Sequence, residues 1–147
     1  MLAINAEVEH IPLRPLPLVD DASAGFWAAA GDGRLAIQRC GACRRYNHAP
    51  SLACPSCGSF DLAYANVSGR ATLFSWTVIK EPPAPGFRGR VPLIVGIVEL
   101  AEQPHLLMVA NLLGLDEADL KLGMPLQVTF EQVSEECTLP QFVAAEG

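Results

Sequence analysis

The chain has 147 residues, 50% of them hydrophobic, with a formal net charge of -6 and a mean hydropathy of +0.26. That length fits one medium domain, or a small domain with an appendage, and the composition supplies a buried core. The charge argues against a nucleic-acid binder, and no apolar run nears the ~20 residues that a membrane-spanning helix needs.

The charge is unevenly spread. Residues 1–33 hold one Arg against five acids, residues 34–90 hold eight Lys or Arg against Asp61 and Glu81, and residues 91–147 hold Lys121 against nine acids. Two readings are open: scattered solvated charge, or a central site for a phosphate-bearing ligand or an acidic partner surface. Met1 to Val8 carry no basic cluster followed by an apolar segment. The expectation is therefore no export and a cytoplasmic location, where thiols stay reduced.

In chain order, the first nineteen residues include Pro12, Pro15 and Pro17 and read as an extended arm. Asp20 or Asp21 is placed to cap a short helix over Ala22–Ala30, with Phe26, Trp27 and Ala30 sharing a face and Gly31 and Gly33 ending it. Such an arm and helix pack either on their own domain or on another subunit. Leu35–Arg39 then reads as a strand.

That strand leads into Cys40-Gly-Ala-Cys43, and Cys54-Pro-Ser-Cys57-Gly58 follows ten residues later. Two facing C-x-x-C turns supply the four thiolates that Zn²⁺ takes in a tetrahedral shell, with Gly and Pro where each turn reverses. Four protein ligands leave no open position, so the zinc at Cys40, Cys43, Cys54 and Cys57 is expected to be structural. Two disulfides or a redox dithiol fit less well, because a lone redox pair would not need a matched second copy. Arg44, Arg45, Tyr46 and His48 read as the loop of the ribbon, with His48 on the surface. Asp61–Val67 reads as the strand leaving it, in a ribbon too small to bury a core alone.

The remainder reads as β-structure. Thr72–Ile79 alternates Leu73, Ser75 and Thr77 against Phe74, Trp76 and Val78. Glu81–Gly86 is a Pro-rich breaker, Leu93–Leu100 and Leu106–Leu112 form a hairpin across 101–105, and Asp116–Leu120 is one helical turn. Leu126–Val133 and Leu139–Val143 complete five strands with a short helix after the third. That is the order of an OB-fold barrel. The predicted architecture is mainly β: arm and helix over 1–33, rubredoxin-like zinc ribbon over 34–67, OB-fold barrel over 68–147.

No self-contained active site is legible. His10, His48 and His105 fall in the arm, the ribbon loop and a hairpin turn, and no motif joins them to a nucleophile. Cys137 sits beside Glu135 and Glu136, which would raise its thiol pKa, and reads as a structural or surface cysteine. Outside the zinc site, the loop Pro82–Arg90 is the best contact candidate. Pro83 and Phe87 offer apolar contact, and Arg88 and Arg90 offer charge for phosphate or carboxylate. The plainer reading is a solvated connection.

The ribbon followed by Gly69-Arg-Ala-Thr-Leu-Phe-Ser-Trp-Thr77, Pro92-Leu-Ile-Val-Gly-Ile-Val-Glu-Leu100 and Leu122-Gly-Met-Pro-Leu-Gln-Val-Thr-Phe130 resembles the bacterial and archaeal zinc-ribbon/OB-fold proteins associated with acyl-CoA enzymes. The resemblance covers roughly residues 20–143. It implies a non-catalytic accessory subunit that bridges catalytic subunits in a hetero-oligomer and assists acyl-CoA binding. The partners it implies are thiolase-like enzymes, related acyltransferases or steroid side-chain aldolases. One departure is Ala49-Pro50-Ser51, where related chains often carry Pro-Pro-Arg before the third cysteine. The alternative function is a single-stranded nucleic-acid module, which would need exposed aromatics beside a basic groove. Phe74 and Trp76 supply the aromatics, but the later strands supply almost no Lys or Arg.

Overall fold

The computed structural model describes residues 14–146; the part of the expected arm over residues 1–13 lies outside them. Asp20 and Ser23 open the first helix by reciprocal bonds, Ser23 N–H to Asp20 Oδ1 at 2.8 Å and Asp20 N–H to Ser23 Oγ at 3.1 Å. Helix α1 runs Ala24–Gly31, so its cap is Ser23 with Asp20 behind it. The Ser23 hydroxyl and N–H hold the Asp20 carboxyl below its ordinary pKa.

The ribbon is a three-stranded sheet with order β2-β1-β3, built from β1 (Ala36–Cys40), β2 (Tyr46–Asn47) and β3 (Leu62–Asn66). The two-residue strand β2 replaces part of the expected loop. The five barrel strands are β4 (Arg70–Ile79), β5 (Leu93–Leu100), β6 (Leu107–Asn111), β7 (Pro125–Gln132) and β8 (Thr138–Ala144). Their order is β6-β5-β4-β7-β8, all antiparallel, and a single parallel bridge from Leu112 to Phe142 brings the two ends together. This is the nearly closed OB-fold barrel, and the 3₁₀ turn Glu117–Asp119 stands where the short helix was expected.

Strand β4 departs from strict alternation. Leu73 pairs with Val98 and Ser75 with Ile97, leaving Phe74 as the extra residue of a β-bulge. Ala71 and Leu73 point inward before the bulge, while Trp76 and Val78 turn toward the core after it. The expected faces are therefore split, with Phe74 outside and Trp76 half-buried. Gly69 opens this strand at φ +80°, where a Cβ would collide with Val128, so glycine is required at the head of the Gly-Arg-x-Thr segment.

The core runs through helix, ribbon and barrel together. Phe26 of α1 and Leu35 and Ile37 at β1 lie in the same buried cluster as Leu73, Val98, Leu126 and Phe142. The helix and its preceding segment thus pack on their own chain, with Tyr64 donating to the Ala22 carbonyl. Gln103 fastens the ribbon to the barrel hairpin, its Oε1 accepting from Tyr46 N–H at 2.9 Å and its Nε2 donating to the Tyr46 carbonyl at 3.1 Å. Among the described residues no helix is long and apolar enough to cross a membrane.

Candidate functional site

The two cysteine turns are copies of one backbone design. Cys40 N–H bonds the Arg45 carbonyl and Arg44 N–H the Cys40 carbonyl, both at 2.9 Å. Cys54 N–H bonds the Ser59 carbonyl and Gly58 N–H the Cys54 carbonyl, both at 2.8 Å. The reversal falls one residue after each second cysteine, at Arg44 (φ 68°) and Gly58 (φ 78°). Gly58 fits the expected role for glycine. Gly41 is there for a different reason: a Cβ would collide with the Asp61 carboxylate, whose residue also accepts Gly41 N–H at 2.7 Å.

The four sulfurs converge. Cys40 and Cys57 Sγ stand 3.6 Å apart, as do Cys43 and Cys54 Sγ, and all four ligand atoms lie within 4.8 Å of one another. Tetrahedral Zn–S bonds of about 2.3 Å place sulfurs about 3.8 Å apart, whereas a disulfide needs about 2.05 Å. All four are free cysteines, so the donor set fits zinc and is not two disulfides. Backbone N–H groups favour two of the thiolates. The Cys43 N–H holds Cys40 below its ordinary value, and the Cys57 N–H holds Cys54 down to about 6. Cys57 goes the other way: its bond from the Ser59 N–H is outweighed by the Cys40 thiol, burial and the two remaining thiols, which push it up to about 11. Four thiolates this close repel one another until a cation compensates them. Cys40 and Cys54 are buried and Cys57 is exposed, so the centre lies just under the surface with no position for a substrate.

His48 is half-buried, not a freely exposed loop residue. Its ring lies 5.4 Å from that of Phe26, and burial holds its pKa below the ordinary histidine value. It forms one wall of an apolar groove of about 430 Å³ between α1, the ribbon loop His48–Pro50 and strands β5, β6 and β8. No local motif signals this groove, because its walls come from segments far apart in the chain. At its polar end Gln141 bonds Asn111 and Glu131.

The candidate loop lies elsewhere. Arg90 bonds Glu131 Oε2 at 3.3 Å, Arg14 bonds Glu131 Oε1 at 3.4 Å, and the Arg14 guanidinium lies 5.8 Å from the Phe87 ring centre. Arg14, Arg90 and Glu131 border a cavity of about 300 Å³. Arg88 and Pro83 are exposed, and the Arg88 side chain has no hydrogen bond or ion pair among the described residues. Cys137 is half-buried. Its thiol is raised chiefly by burial, against an opposing pull from Arg14, and not by the neighbouring carboxylates expected from the sequence.

Comparison with known proteins matches the two parts separately. The family profile described as "ChsH2, rubredoxin-like zinc ribbon domain" matches residues 27–63, and "ChsH2, C-terminal OB-fold domain" matches residues 64–131. A probable enoyl-CoA hydratase alpha subunit of Thermomonospora curvata is 38% identical over 88% of this chain and 40% of its own length. The 3-oxo-4,17-pregnadiene-20-carboxyl-CoA hydratase alpha subunit of Mycobacterium tuberculosis is 35% identical over 74% of this chain and 33% of its own length. The chain therefore spans well under half of these curated relatives. A solved structure described as "Ltp2-ChsH2(DUF35) aldolase" superposes with a TM-score of 0.80 and 36% identity, covering 88% of this chain and 98% of the other. A Sulfolobus solfataricus protein of the DUF35 family shares the fold, with a TM-score of 0.59 at 13% identity.

Proposed function

This chain belongs to the ChsH2 zinc-ribbon/OB-fold family, and on that premise we propose that it is a non-catalytic accessory subunit of an acyl-CoA-processing enzyme complex. The observation that carries the reading is the correspondence with a chain of the structure described as "Ltp2-ChsH2(DUF35) aldolase", over 88% of this chain and 98% of that one. The donor chemistry supports it: four of the five cysteines form a closed metal shell, and the fifth is half-buried with a raised thiol pKa. The relatives point to a hydratase or aldolase as the catalytic partner; a thiolase-like partner rests on the family resemblance alone. In this reading the ribbon and barrel form a rigid platform that bridges catalytic subunits in the cytoplasm.

Acyl-CoA is shared at the boundary with the partner, through the loop that carries Pro83, Phe87, Arg88 and Arg90. Exposed Arg88 is the cation best placed to meet a phosphate, while Arg90 holds the loop to the barrel through Glu131. A charge-assisted hydrogen bond contributes ~1.5–3 kcal/mol, so Arg88→Ala is expected to weaken acyl-CoA binding by the assembled complex about tenfold or more. Calorimetric titration of the complex measures this. Unchanged acyl-CoA affinity and unchanged assembly in the Arg88→Ala/Arg90→Ala chain would remove the loop from the site. A stacking platform for single-stranded nucleic acid finds less support, since the bulge places Phe74 and Trp76 on different sides of β4.

A further inference from the structure

Strand β6 leaves one sheet edge open inside the apolar groove. Its ladder phase follows from its ends, where Leu112 N–H donates to the Ile94 carbonyl and the Leu106 carbonyl accepts from Leu100 N–H. In an antiparallel strand both main-chain groups of a residue face the same neighbour, and successive residues face opposite ways. Met108 and Ala110 therefore pair toward β5, while Leu107, Val109 and Asn111 face away from it. Asn111 N–H is met by Gln141 Oε1, and Leu113 N–H by the Phe142 carbonyl, both at 2.8 Å.

Past that point the barrel does not close. Leu112 to Phe142 is the one bridge between these strands among the described residues, and β6 is the end strand of its sheet. The edge of β8 across the gap includes Pro140, which has no N–H to offer. Among the described residues, Leu107 and Val109 thus each present an N–H and a C=O with no strand beside them. Val109 is 64% exposed and lines the groove.

We propose that this edge receives an extended segment of the catalytic partner polypeptide, which adds to β6 as a further strand. The inference rests on the accessory-subunit reading. Two residues offering both donor and acceptor, two positions apart, match the repeat of another backbone; a small molecule does not reproduce that repeat. Natural edge strands are normally blunted by Lys, Pro, a bulge or a covering element. Leu107-Met-Val-Ala-Asn111 has no Lys, Pro or bulge, and no described strand covers it, so its edge is open to pairing. The groove lining includes no Lys, Arg, Asp or Glu. The incoming segment is accordingly uncharged, with apolar side chains toward Trp27, Val109 and Leu139.

Amide hydrogen exchange on the full chain, alone and in the reconstituted complex, tests this. In the free chain Leu107 and Val109 amides are expected to exchange fast and Met108 and Ala110 slowly. In the complex the Val109 amide is expected to slow by about 100-fold or more, as for an amide that exchanges only on local opening. Co-elution of the two proteins reports the accessory-subunit reading independently. A complex that assembles while Val109 exchanges as in the free chain overturns the strand addition and leaves that reading standing. Protection already present in the free chain and lost when residues 1–13 are removed would assign the edge to the chain's own N-terminal segment, which also overturns the proposal. So would protection produced by acyl-CoA without the partner. Val109→Pro removes the donor and is expected to raise the dissociation constant of the complex about tenfold, with Val109→Ile near the parent value. If Val109→Pro does not fold, the exchange measurement on the parent chain decides alone.

Discussion

A Cys54→Ser chain is expected to purify without zinc and to lose the ribbon fold. Structural zinc in small modules contributes apparent binding free energies of ~10–16 kcal/mol at neutral pH, the same size as or larger than the ~5–15 kcal/mol net stability of a whole domain. Few other sources of stability serve the ribbon, whose strand β2 is two residues long. Loss of the metal will not stay local, because Leu35 and Ile37 belong to the buried cluster shared with the barrel. Metal analysis should return one zinc per parent chain and none for Cys54→Ser. A chelator should lower the parent's thermal midpoint, and acid should do the same, since protons compete with zinc for the thiolates. Cys137→Ser is the control, with zinc retained because Cys137 lies outside the cluster. A Cys54→Ser chain that keeps one zinc and its midpoint would rule out a closed four-thiolate site.

Phe142→Ala should be the most costly single change in the barrel. The ring is 0% exposed, and the Phe142 carbonyl also accepts Leu113 N–H where the barrel ends meet. Truncating a buried Phe costs ~3–5 kcal/mol through lost transfer energy and the cavity left behind, about a fifth or more of a typical domain's stability. Urea unfolding should show a lower midpoint with an unchanged slope. Phe74→Ala removes the same ring from a position that is 45% exposed and should fall within about 1 kcal/mol of the parent. Equal losses for the two variants would contradict the bulged register of β4.

The contrast between these two phenylalanines shows how far the sequence is readable. Alternation in Thr72–Ile79 locates a strand, but nothing in residue type marks the extra residue at Phe74, so the switch of faces after it is not visible in the alternation. The zinc ligands are legible because a metal needs particular atoms at a short spacing, and that requirement is local. The five strands and the short helix are legible because each is a run of one composition between breakers. His48 is misread for the opposite reason: its partner Phe26 is 22 positions away in the sequence, and only packing of α1 on the ribbon and barrel brings the rings together. The groove and the open edge of β6 share that origin. They exist between elements, and no single segment encodes them.

The uneven closure of the barrel sets the order in which a nascent chain becomes safe. Strands β4, β5 and β6 pair with sequence neighbours, so this meander can form as soon as it is made. Its other flank waits for Arg70 to meet Gln127, and its closure waits for Phe142 to reach Leu112. Until those last residues are synthesised, Leu73, Val98 and Met108 face solvent without their cover. The interval before β7 and β8 arrive is therefore when the chain is most open to wrong pairing and to capture by chaperones.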